Sequence, residues 1–438
     1  MVLDLAAPII TSLGKGALTI PQGNLSGWRQ AWQGLPFRAM ASLRRMLPME
    51  LAPLFLGIFA IGTNLFIVVP LLPAVQRDFP GASVSDLGQF LVGSYALTYA
   101  LLAPALGPIS DRVGRVPVIR AGMAMLAIAT IASALSPSLT VLAAARAAAG
   151  IGAALLTPAT YAFVGDQYAY EGRQRAMAVV LAGLPVSTVA GVPLAGLLAA
   201  ASSWRWGLGA VSAIAVMALL SSFRLSSPRT TRQSGHWPSL LATLRDRTAM
   251  TPISVSFLWF VASLGLFTYI GQYLYSLFDF GARERALAVG AYGLMGLVGE
   301  FGGAGFARRA GKQVAVLLGL SGLVGAFVLV AVNHSSAPLA VLSLAVWGAA
   351  SWFGMPSQQA IISELQPLAR GTLLSLNNSS MYLGAMIGSA LMGRMLAVAG
   401  FAGAGGLAAG VIAAAALITG RAVRERGPVA VNAAPPPG

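Results

Sequence analysis

Two charged side chains stand within long apolar stretches of this sequence, where a charge is costly unless it has a partner or a task. These side chains are Arg146 and Glu300. A guanidinium at membrane depth costs at least ~2.5 kcal/mol on insertion scales, and a carboxylate there is of the kind that relays protons. Glu300 is therefore a candidate proton carrier, and a charge at the depth of Arg146 indicates a functional role. The alternatives are that Arg146 braces neighbouring carbonyl groups and that Glu300 forms a salt bridge to arginines.

A short charged segment, residues 107–119, separates two apolar runs and reads GPISDRVGRVPVI. Its first glycine, Gly107, would let one helix approach another closely, and Gly114 would permit the tight turn into the next helix. Asp111 can accept hydrogen bonds from a helix N-terminus or from an arginine. Such a bond could cross an interface between two parts of the molecule. The alternative is that the charges only hold the segment in water.

Uncharged polar side chains within the apolar stretches offer the donors and acceptors of a small-molecule site. A mostly apolar pocket with a few amides suits a neutral or weakly amphipathic ligand. The candidates for this pocket are Asn64, Gln89, Tyr95, Gln272, Gln358, Asn377, Asn378 and Tyr382.

The sequence lacks the residue patterns that bind metals or nucleotides or that act as catalytic nucleophiles. The chain has no cysteine, and neither His236 nor His334 lies in the middle of an apolar stretch. No phosphate-binding glycine loop and no nucleophile elbow occurs. We therefore expect no enzyme, no cofactor and no metal.

Membrane-spanning helices are the elements that must position these residues. Hydrophobic residues make up 57% of the chain and charged residues 9%, against roughly 25% charged in soluble domains. A helix needs ~20 apolar residues to cross a bilayer, and continuous rather than alternating runs exclude barrel strands. The predicted spans, numbered 1 to 12, are 51–74, 86–107, 116–135, 138–164, 175–200, 204–223, 250–277, 286–306, 313–332, 337–363, 371–396 and 399–420.

The net charge of +15 would suit nucleic acid, but its distribution indicates a lipid bilayer instead. With a cytoplasmic N-terminus, 22 of the 28 Lys and Arg residues fall on cytoplasmic segments. This asymmetry is the positive-inside rule. It predicts a multi-pass protein of the plasma (inner) membrane with both termini in the cytoplasm, and no nucleic-acid partner.

The chain divides into two halves that contain matching sequence features. Gly114-Arg115 is answered by Gly311-Lys312, 197 residues later, and Pro158 with Asp166 by Pro356 with Glu364, 198 residues later. Such repeats mark many secondary transporters. Residues 1–50 carry aromatic and arginine side chains that suit an interfacial helix, or else form a disordered extension. The predicted organisation is an N-terminal extension at 1–50, six-helix bundles at 51–223 and 250–420, a cytoplasmic linker at 224–249 and a tail at 421–438.

Several motifs, in order along the chain, resemble those of the major facilitator superfamily. The segment from Gly107 to Arg115 is similar to its signature between helices 2 and 3. Arg146-x-x-x-Gly150-x-Gly152 is similar to the helix-4 motif of the twelve-helix drug/proton antiporter branch, and Trp204-Arg205-Trp206 to an element after helix 5. The helix-5 antiporter motif is resembled by Gly183, Gly191, Pro193 and Gly196.

This resemblance implies an all-α integral membrane protein with twelve transmembrane helices in two pseudo-symmetric six-helix bundles. It implies a monomeric secondary transporter that exchanges protons for small organic molecules by alternating access. The implied substrate is a drug, a sugar or a metabolite that moves outward. An uptake symporter or facilitator of the same fold is the alternative, followed by a membrane scaffold without transport.

The resemblance also implies that Arg146 adjusts protonation or orients a gate during proton exchange. The implied gate lies at the cytoplasmic ends of the helices. In the second copy Arg308 occupies the place of Asp111, and Glu364 with Arg370 would supply the missing partner, as Asp166 with Arg173 flank the first copy. Many relatives have an acidic residue where Asn64 stands, and an amide cannot titrate. The implied gating residues are Gly107, Asp111, Arg112, Gly114, Arg115, Asp166, Arg173, Arg308, Glu364 and Arg370.

Overall fold

The structure is a computed structural model that describes residues 51–168, 170–226, 245–365 and 370–426. Throughout these ranges the regular secondary structure is helical. The predictions for residues 1–50, for most of the linker and for the end of the tail lie outside the described residues.

Six spans come from the first half of the chain. Span 1 is a pair of helices bent by 47°, and spans 2 and 5 each contain a wide π-helical turn. The helices are Ala52–Phe66 and Val68–Asp78 in span 1; Val84–Gly88, Gln89–Gly93 and Ser94–Val113 in span 2; Arg115–Ala134 in span 3; Leu139–Gln167 in span 4; Tyr170–Leu181, Gly183–Val186, Ser187–Gly191 and Val192–Ala201 in span 5; and Trp204–Ser222 in span 6.

The second half contributes the other six spans. They are Arg247–Phe267 with Ile270–Phe278 in span 7, Ala282–Ala310 in span 8, Lys312–Val332 in span 9, Ala337–Leu365 in span 10, and Arg370–Arg426 in spans 11 and 12. Gly400, with φ 61° and ψ −162°, interrupts the last of these helices.

The count of twelve spans follows from lengths in the described residues. Ten helices are long and apolar enough to cross a membrane, and the bent pair of span 1 adds an eleventh. The last of the ten, Leu373–Ala422, has 50 residues and would measure ~75 Å if straight, against ~30 Å of hydrocarbon. The break at Gly400 therefore separates two spans, and the predicted twelve-helix fold is confirmed.

Several helices run further than the apolar stretches that predicted them. Span 2 continues to Val113 instead of ending at 107, and span 5 begins at Tyr170 instead of 175. A helix ends where its backbone conformation changes and not where its side chains become polar. Span 2 ends at Gly114, whose φ of 105° few other residues adopt.

The internal repeat is visible in the backbone. Gly311, with φ 91°, makes the same turn between spans 8 and 9 that Gly114 makes between spans 2 and 3. Spans 4 and 10 are both 29-residue helices with an internal proline, Pro158 and Pro356. We call the side of the molecule with these two glycine turns the terminal end, since span 1 begins there, and the opposite side the far end.

Small residues let the helices pack backbone against backbone. A Cβ added to Gly299 would lie 2.8 Å from the carbonyl carbon of Ala349, so span 8 touches span 10 there. A Cβ on Gly384 would lie 2.5 Å from the carbonyl oxygen of Phe257, so span 11 touches span 7. Lipid provides no hydrophobic drive for helix association, and such close packing takes its place.

Candidate functional site

Arg146 lies at the centre of a polar cluster inside the first half. The side chain is 1% exposed, and it stands seven residues into span 4, ~10 Å along the helix from its far end at 1.5 Å per residue. Its Nε donates to the carbonyl oxygen of Leu91 at 2.8 Å, and its Nη1 donates to Oδ1 of Asn64. Leu91 belongs to the π-helical turn of span 2, a kind of turn that often marks functional positions.

Asn64 is held in place on its other side by span 3. Its Nδ2 donates to Oγ1 of Thr130 at 2.6 Å, and Thr130 donates to the carbonyl oxygen of Leu126 at 2.6 Å. Asn64 and Thr130 are fully buried. The amide orientation is therefore determined, with its oxygen toward the guanidinium.

The two glycines that follow Arg146 in the sequence explain how span 4 brings the arginine here. A Cβ on Gly150 would collide with the carbonyl oxygen of Tyr95 in span 2, and one on Gly152 would lie 2.7 Å from the nitrogen of Leu126 in span 3. Both positions therefore require glycine for close approach. The motif Arg146-x-x-x-Gly150-x-Gly152 thus places one cation between three tightly packed helices.

Two donors of this cluster have no hydrogen-bond partner in the described structure. They are Nη2 of Arg146 and the hydroxyl of Tyr95, and both atoms are buried. The Arg146 guanidinium carbon lies 5.0 Å from the centre of the Tyr95 ring, which is cation–π distance. Buried donors without acceptors are rare in native proteins, and each one calls for an explanation such as a functional role or a bound water or ion.

A group of tyrosines connects this cluster to the second half. The Tyr95 ring centre lies 6.3 Å from that of Tyr382 in span 11, and Tyr99 stacks on Tyr382 with ring centres 3.7 Å apart. Tyr95 and Tyr99 are fully buried, whereas Tyr382 is half-buried. The tyrosines therefore lie between Arg146 and the seam of the two halves.

Glu300 lies in the other half and at another depth. It is half-buried, stands ten residues before the end of span 8, and has no ion pair or hydrogen bond within the described residues. Its neighbour Gly299 packs against span 10, whereas Phe301 is 76% exposed. The structure does not bring Glu300 and Arg146 together.

Among the described residues, an ion pair in each half occupies equivalent places at the terminal end. Arg115 Nε lies 2.9 Å from Asp166 Oδ2, and Arg115 Nη1 donates to Ser110 Oγ at 2.6 Å. In the second half Lys312 Nζ lies 2.5 Å from Glu364 Oε1. Each pair ties the turn after its half's second span to the end of that half's fourth span.

The remaining predicted gating residues are only partly described. Arg112 and Arg308 are exposed at the terminal end. The surroundings of Gly107 and the side chains of Asp111, Arg173 and Arg370 lie outside the described residues.

Hydrogen bonds that cross between the described parts of the two halves lie toward the far end. Arg77 Nη2 donates to the hydroxyl of Tyr275 at 3.1 Å. The Tyr269 hydroxyl lies 3.3 Å from the carbonyl oxygen of Ser85, and Ser389 Oγ donates to Gln89 Oε1 at 3.2 Å. These contacts hold the far end of the molecule closed.

The helix-5 residues lie in two packing seams. Gly183 and Gly191 face span 1, where a Cβ on Gly183 would lie 2.7 Å from the carbonyl oxygen of Phe55. Pro193 and Gly196 face span 8, where a Cβ on Gly196 would lie 2.8 Å from Cβ of Ala286. Span 5 therefore joins its own half and crosses to the other.

The predicted cavity residues separate into two groups. Gln89, Tyr95 and Tyr382 lie at or beside the seam between the halves. Gln358 instead bonds within the second half, where Nε2 donates to the carbonyl oxygen of Pro252 at 2.7 Å.

For the other predicted cavity residues the structure gives burial and, for some, a hydrogen bond within one half. Asn377 is fully buried and bonds Gln359 at 3.3 Å, with its Oδ1 left without a partner in the described structure. Asn378 and Gln272 are half-buried, and Oε1 of Gln272 has no partner in the part of the chain that is described.

Three residues of the site were not predicted from the sequence. Tyr99 shares a face of span 2 with Tyr95, four residues away. This spacing in the sequence could have predicted that the two tyrosines lie side by side. Tyr269, whose hydroxyl reaches the backbone of Ser85 across the halves, is one of several tyrosines in apolar stretches, and its sequence position does not distinguish it from the others. Nothing in the sequence pattern singles out Thr130, a lone threonine in an apolar helix.

Comparison with known proteins gives one consistent result. The sequence profile of the Major Facilitator Superfamily matches residues 54–369. The chain is 27% identical over 343 residues to the uncharacterised transporter YceJ of Bacillus subtilis, with 77% of this chain and 87% of that protein covered. It is 25% identical over 252 residues to the quinolone resistance protein NorA of Staphylococcus aureus, with 56% of this chain and 63% of NorA covered.

Solved structures agree on the fold. The crystal structure of a D-xylose–proton symporter superposes with a TM-score of 0.72 at 17% identity, covering 85% of this chain and 96% of the other. The twelve-helix architecture, the repeated turns and ion pairs, and the profile match over most of the chain point to one conclusion. The chain belongs to the major facilitator superfamily and is a membrane transporter of small molecules, not an enzyme.

Proposed function

We propose that this transporter is a proton-coupled exporter of small organic molecules that works by alternating access. The observation that carries the proposal is the distribution of contacts between the halves. The hydrogen bonds that join the described parts of the halves lie toward the far end, while the described ion pairs at the terminal end each stay within one half. One end is therefore held shut by contacts that a rocking motion can break.

The charge distribution supports placing the terminal end in the cytoplasm. Residues 1–50, the linker 224–249 and the tail 421–438 are then cytoplasmic, between and beside bundles at 51–223 and 250–420. In this orientation the closed far end faces outward. A state with the outward end closed is one that every alternating-access transporter passes through, and it is the state in which an exporter would take up substrate from the cytoplasm. We propose that the chain acts as a monomer.

Glu300 is the proposed proton carrier. It is a half-buried carboxylate within span 8 that no described residue neutralises, and carboxylates at membrane depth are common members of proton relays. Arg146 is the proposed partner in coupling, since its cluster touches spans 1, 2 and 3. Asn64 cannot titrate, so the proton is carried elsewhere.

The terminal-end ion pairs are the proposed gate. Arg115 with Asp166 and Lys312 with Glu364 are aligned by the repeat, and Arg112, Arg308, Asp111, Arg173 and Arg370 are close to them in sequence. The helix-5 motif supports outward transport by its resemblance to antiporters. The similarity to NorA, a quinolone resistance protein, supports an organic drug-like substrate.

The experiment is transport by the purified protein in sealed vesicles with an imposed pH gradient and a panel of radiolabelled or fluorescent organic molecules. We expect substrate to move against an inward proton gradient, and an uncoupler to abolish the movement. Movement in the same direction as protons would instead identify an uptake symporter, and movement indifferent to the gradient a facilitator.

A further inference from the structure

The Arg146 cluster carries a positive charge that its described neighbours do not neutralise. The guanidinium bonds an amide oxygen and a backbone carbonyl oxygen, both uncharged. The ion pairs described in the molecule lie elsewhere, at Arg115–Asp166, Arg205–Asp78 and Lys312–Glu364. A buried charge without a counter-charge is strongly unfavourable, so the site is suited to binding an anion.

The same cluster presents donors without acceptors. Nη2 of Arg146 and the hydroxyl of Tyr95 are buried and unpartnered among the described residues, and the arginine side chain is 1% exposed. A guanidinium and a hydroxyl together make strong, charge-assisted hydrogen bonds to a carboxylate. Filling both donors would remove the cost of leaving them unsatisfied.

Aromatic rings stand between these donors and the seam of the halves. Tyr99 and Tyr382 are stacked, and Tyr95 lies beside Tyr382. Because Tyr382 belongs to the second half, a rocking motion of the halves changes its distance from Tyr95 and Arg146. A flat apolar ligand entering along the seam meets the rings first and the charge behind them.

We propose that this cluster binds the carboxylate of an aromatic organic anion, and that such anions are the substrate class of the transporter. The carboxylate accepts from Nη2 of Arg146 and from the Tyr95 hydroxyl, and the ring of the ligand packs on the tyrosines. Asn64 makes this possible, since an amide orients the guanidinium without neutralising it. A carboxylate at position 64 would instead neutralise the guanidinium of Arg146 within the protein. This assignment of substrate class rests on the proposed transport function.

The test uses three aromatic probes of one shape: naphthoate, its neutral analogue naphthamide, and naphthylmethylammonium. Binding is measured with the purified full chain by the probes' fluorescence, and transport in vesicles with imposed gradients. We expect the protein to bind naphthoate at least about tenfold more tightly than naphthamide, the range for a hydrogen-bonded charge.

The substitution Asn64→Asp places a negative charge beside the guanidinium of Arg146 with almost no change in side-chain shape. We expect this variant to fold, because the new carboxylate pairs with Arg146, and to lose the preference for naphthoate. Tyr95→Phe removes one donor and should weaken naphthoate binding several-fold while leaving naphthamide binding unchanged. Ser335→Asp adds the same charge on the exposed turn between spans 9 and 10 and should behave as the unaltered protein.

Binding of naphthamide as tight as that of naphthoate, or no binding of any probe, would overturn the assignment. An anion preference that survives Asn64→Asp in a folded protein would overturn it too. If naphthoate binds with the expected response to Asn64→Asp but no probe crosses the vesicle membrane under any gradient, the transport proposal fails and the anion site stands.

Discussion

A single amide, Asn64, sets the charge of the buried cluster in the first half. Its oxygen accepts from Arg146 while its nitrogen donates to Thr130. An aspartate of the same shape would lack that donor and would neutralise the arginine. The choice between amide and acid therefore separates a site that retains a positive charge from one that is neutral overall.

Glu300 is the side chain on which proton coupling can be tested most directly. Glu300→Gln keeps the shape and removes the titratable group, so we expect substrate binding to persist and transport to lose its dependence on the pH gradient. Transport is measured in vesicles over a series of imposed gradients.

Glu284→Gln is the matched control, since it makes the same change in the first turn of the same helix, where the side chain is exposed. It should transport as the unaltered protein does. Gradient-driven transport that persists in Glu300→Gln would place the proton carrier at another residue.

The two terminal-end ion pairs are equivalent by the repeat but differ in burial. The side chains of Arg115 and Asp166 are 12% and 33% exposed, against 42% and 60% for Lys312 and Glu364. Exposed pairs contribute ~0–1 kcal/mol, whereas water screens a shielded pair less. The first half therefore has the stronger of the two contacts.

We expect Asp166→Asn to reduce the transport rate several-fold and Glu364→Gln to change it by less than about twofold, in line with the small contribution of exposed pairs. Initial rates in vesicles, normalised to folded protein, measure the difference. Equal losses in the two variants would contradict the assignment of the stronger contact to the first half.

Two glycines of span 8 allow the effect of packing within one half on folding to be tested apart from the effect of packing between the halves on transport. A Cβ on Gly299 would lie 2.8 Å from the carbonyl carbon of Ala349 in the same half, and one on Gly293 would lie 2.6 Å from the carbonyl carbon of Thr188 in the other half. We expect Gly299→Val to lower the yield of folded protein, because two helices of one bundle are forced apart.

Gly293→Val should leave each bundle intact and instead prevent the far end from closing, so that the protein folds but transports slowly. Size-exclusion profiles and transport rates of the two variants measure these outcomes. A Gly293→Val protein that transports normally would show that spans 5 and 8 need not close as tightly as they do here.

The whole molecule has halves joined toward the far end and no cysteine anywhere in the chain. Introduced cysteines therefore react without background. Arg77 and Tyr275 touch across the halves, whereas Asp78 and Arg205 touch within the first half, 2.6 Å apart. These two contacts make a matched pair of sites for crosslinking.

We expect a short crosslink between Arg77→Cys and Tyr275→Cys to stop transport, and a reducible reagent to allow its recovery on reduction. The same reagent between Asp78→Cys and Arg205→Cys should leave transport running, because that contact stays within one rigid half. Undiminished transport by the first crosslinked pair would mean that the far end does not open in the cycle.

Individual side chains show where prediction from the sequence stops. The polarity of Gln358 predicts a cavity residue, and only the structure shows that its amide nitrogen bonds the carbonyl oxygen of Pro252 inside the second half. A polar side chain in an apolar helix can face a cavity or a neighbouring backbone, and the choice depends on how the helix is rotated. The spacing of Tyr95 and Tyr99 was readable, but their partner Tyr382 lies 283 positions beyond Tyr99.

Hydropathy, charge asymmetry and the internal repeat are properties of the linear sequence. The sequence alone therefore predicts the twelve spans, the turns at Gly114 and Gly311, and the family. It does not predict the polar cluster. Arg146 and Asn64 are 82 residues apart in sequence, and Asn64 and Thr130 are 66 apart. Their meeting depends on the rotation of three helices and on glycines that bring the backbones together, and a linear pattern specifies neither. The charge left on that cluster is a consequence of packing in three dimensions.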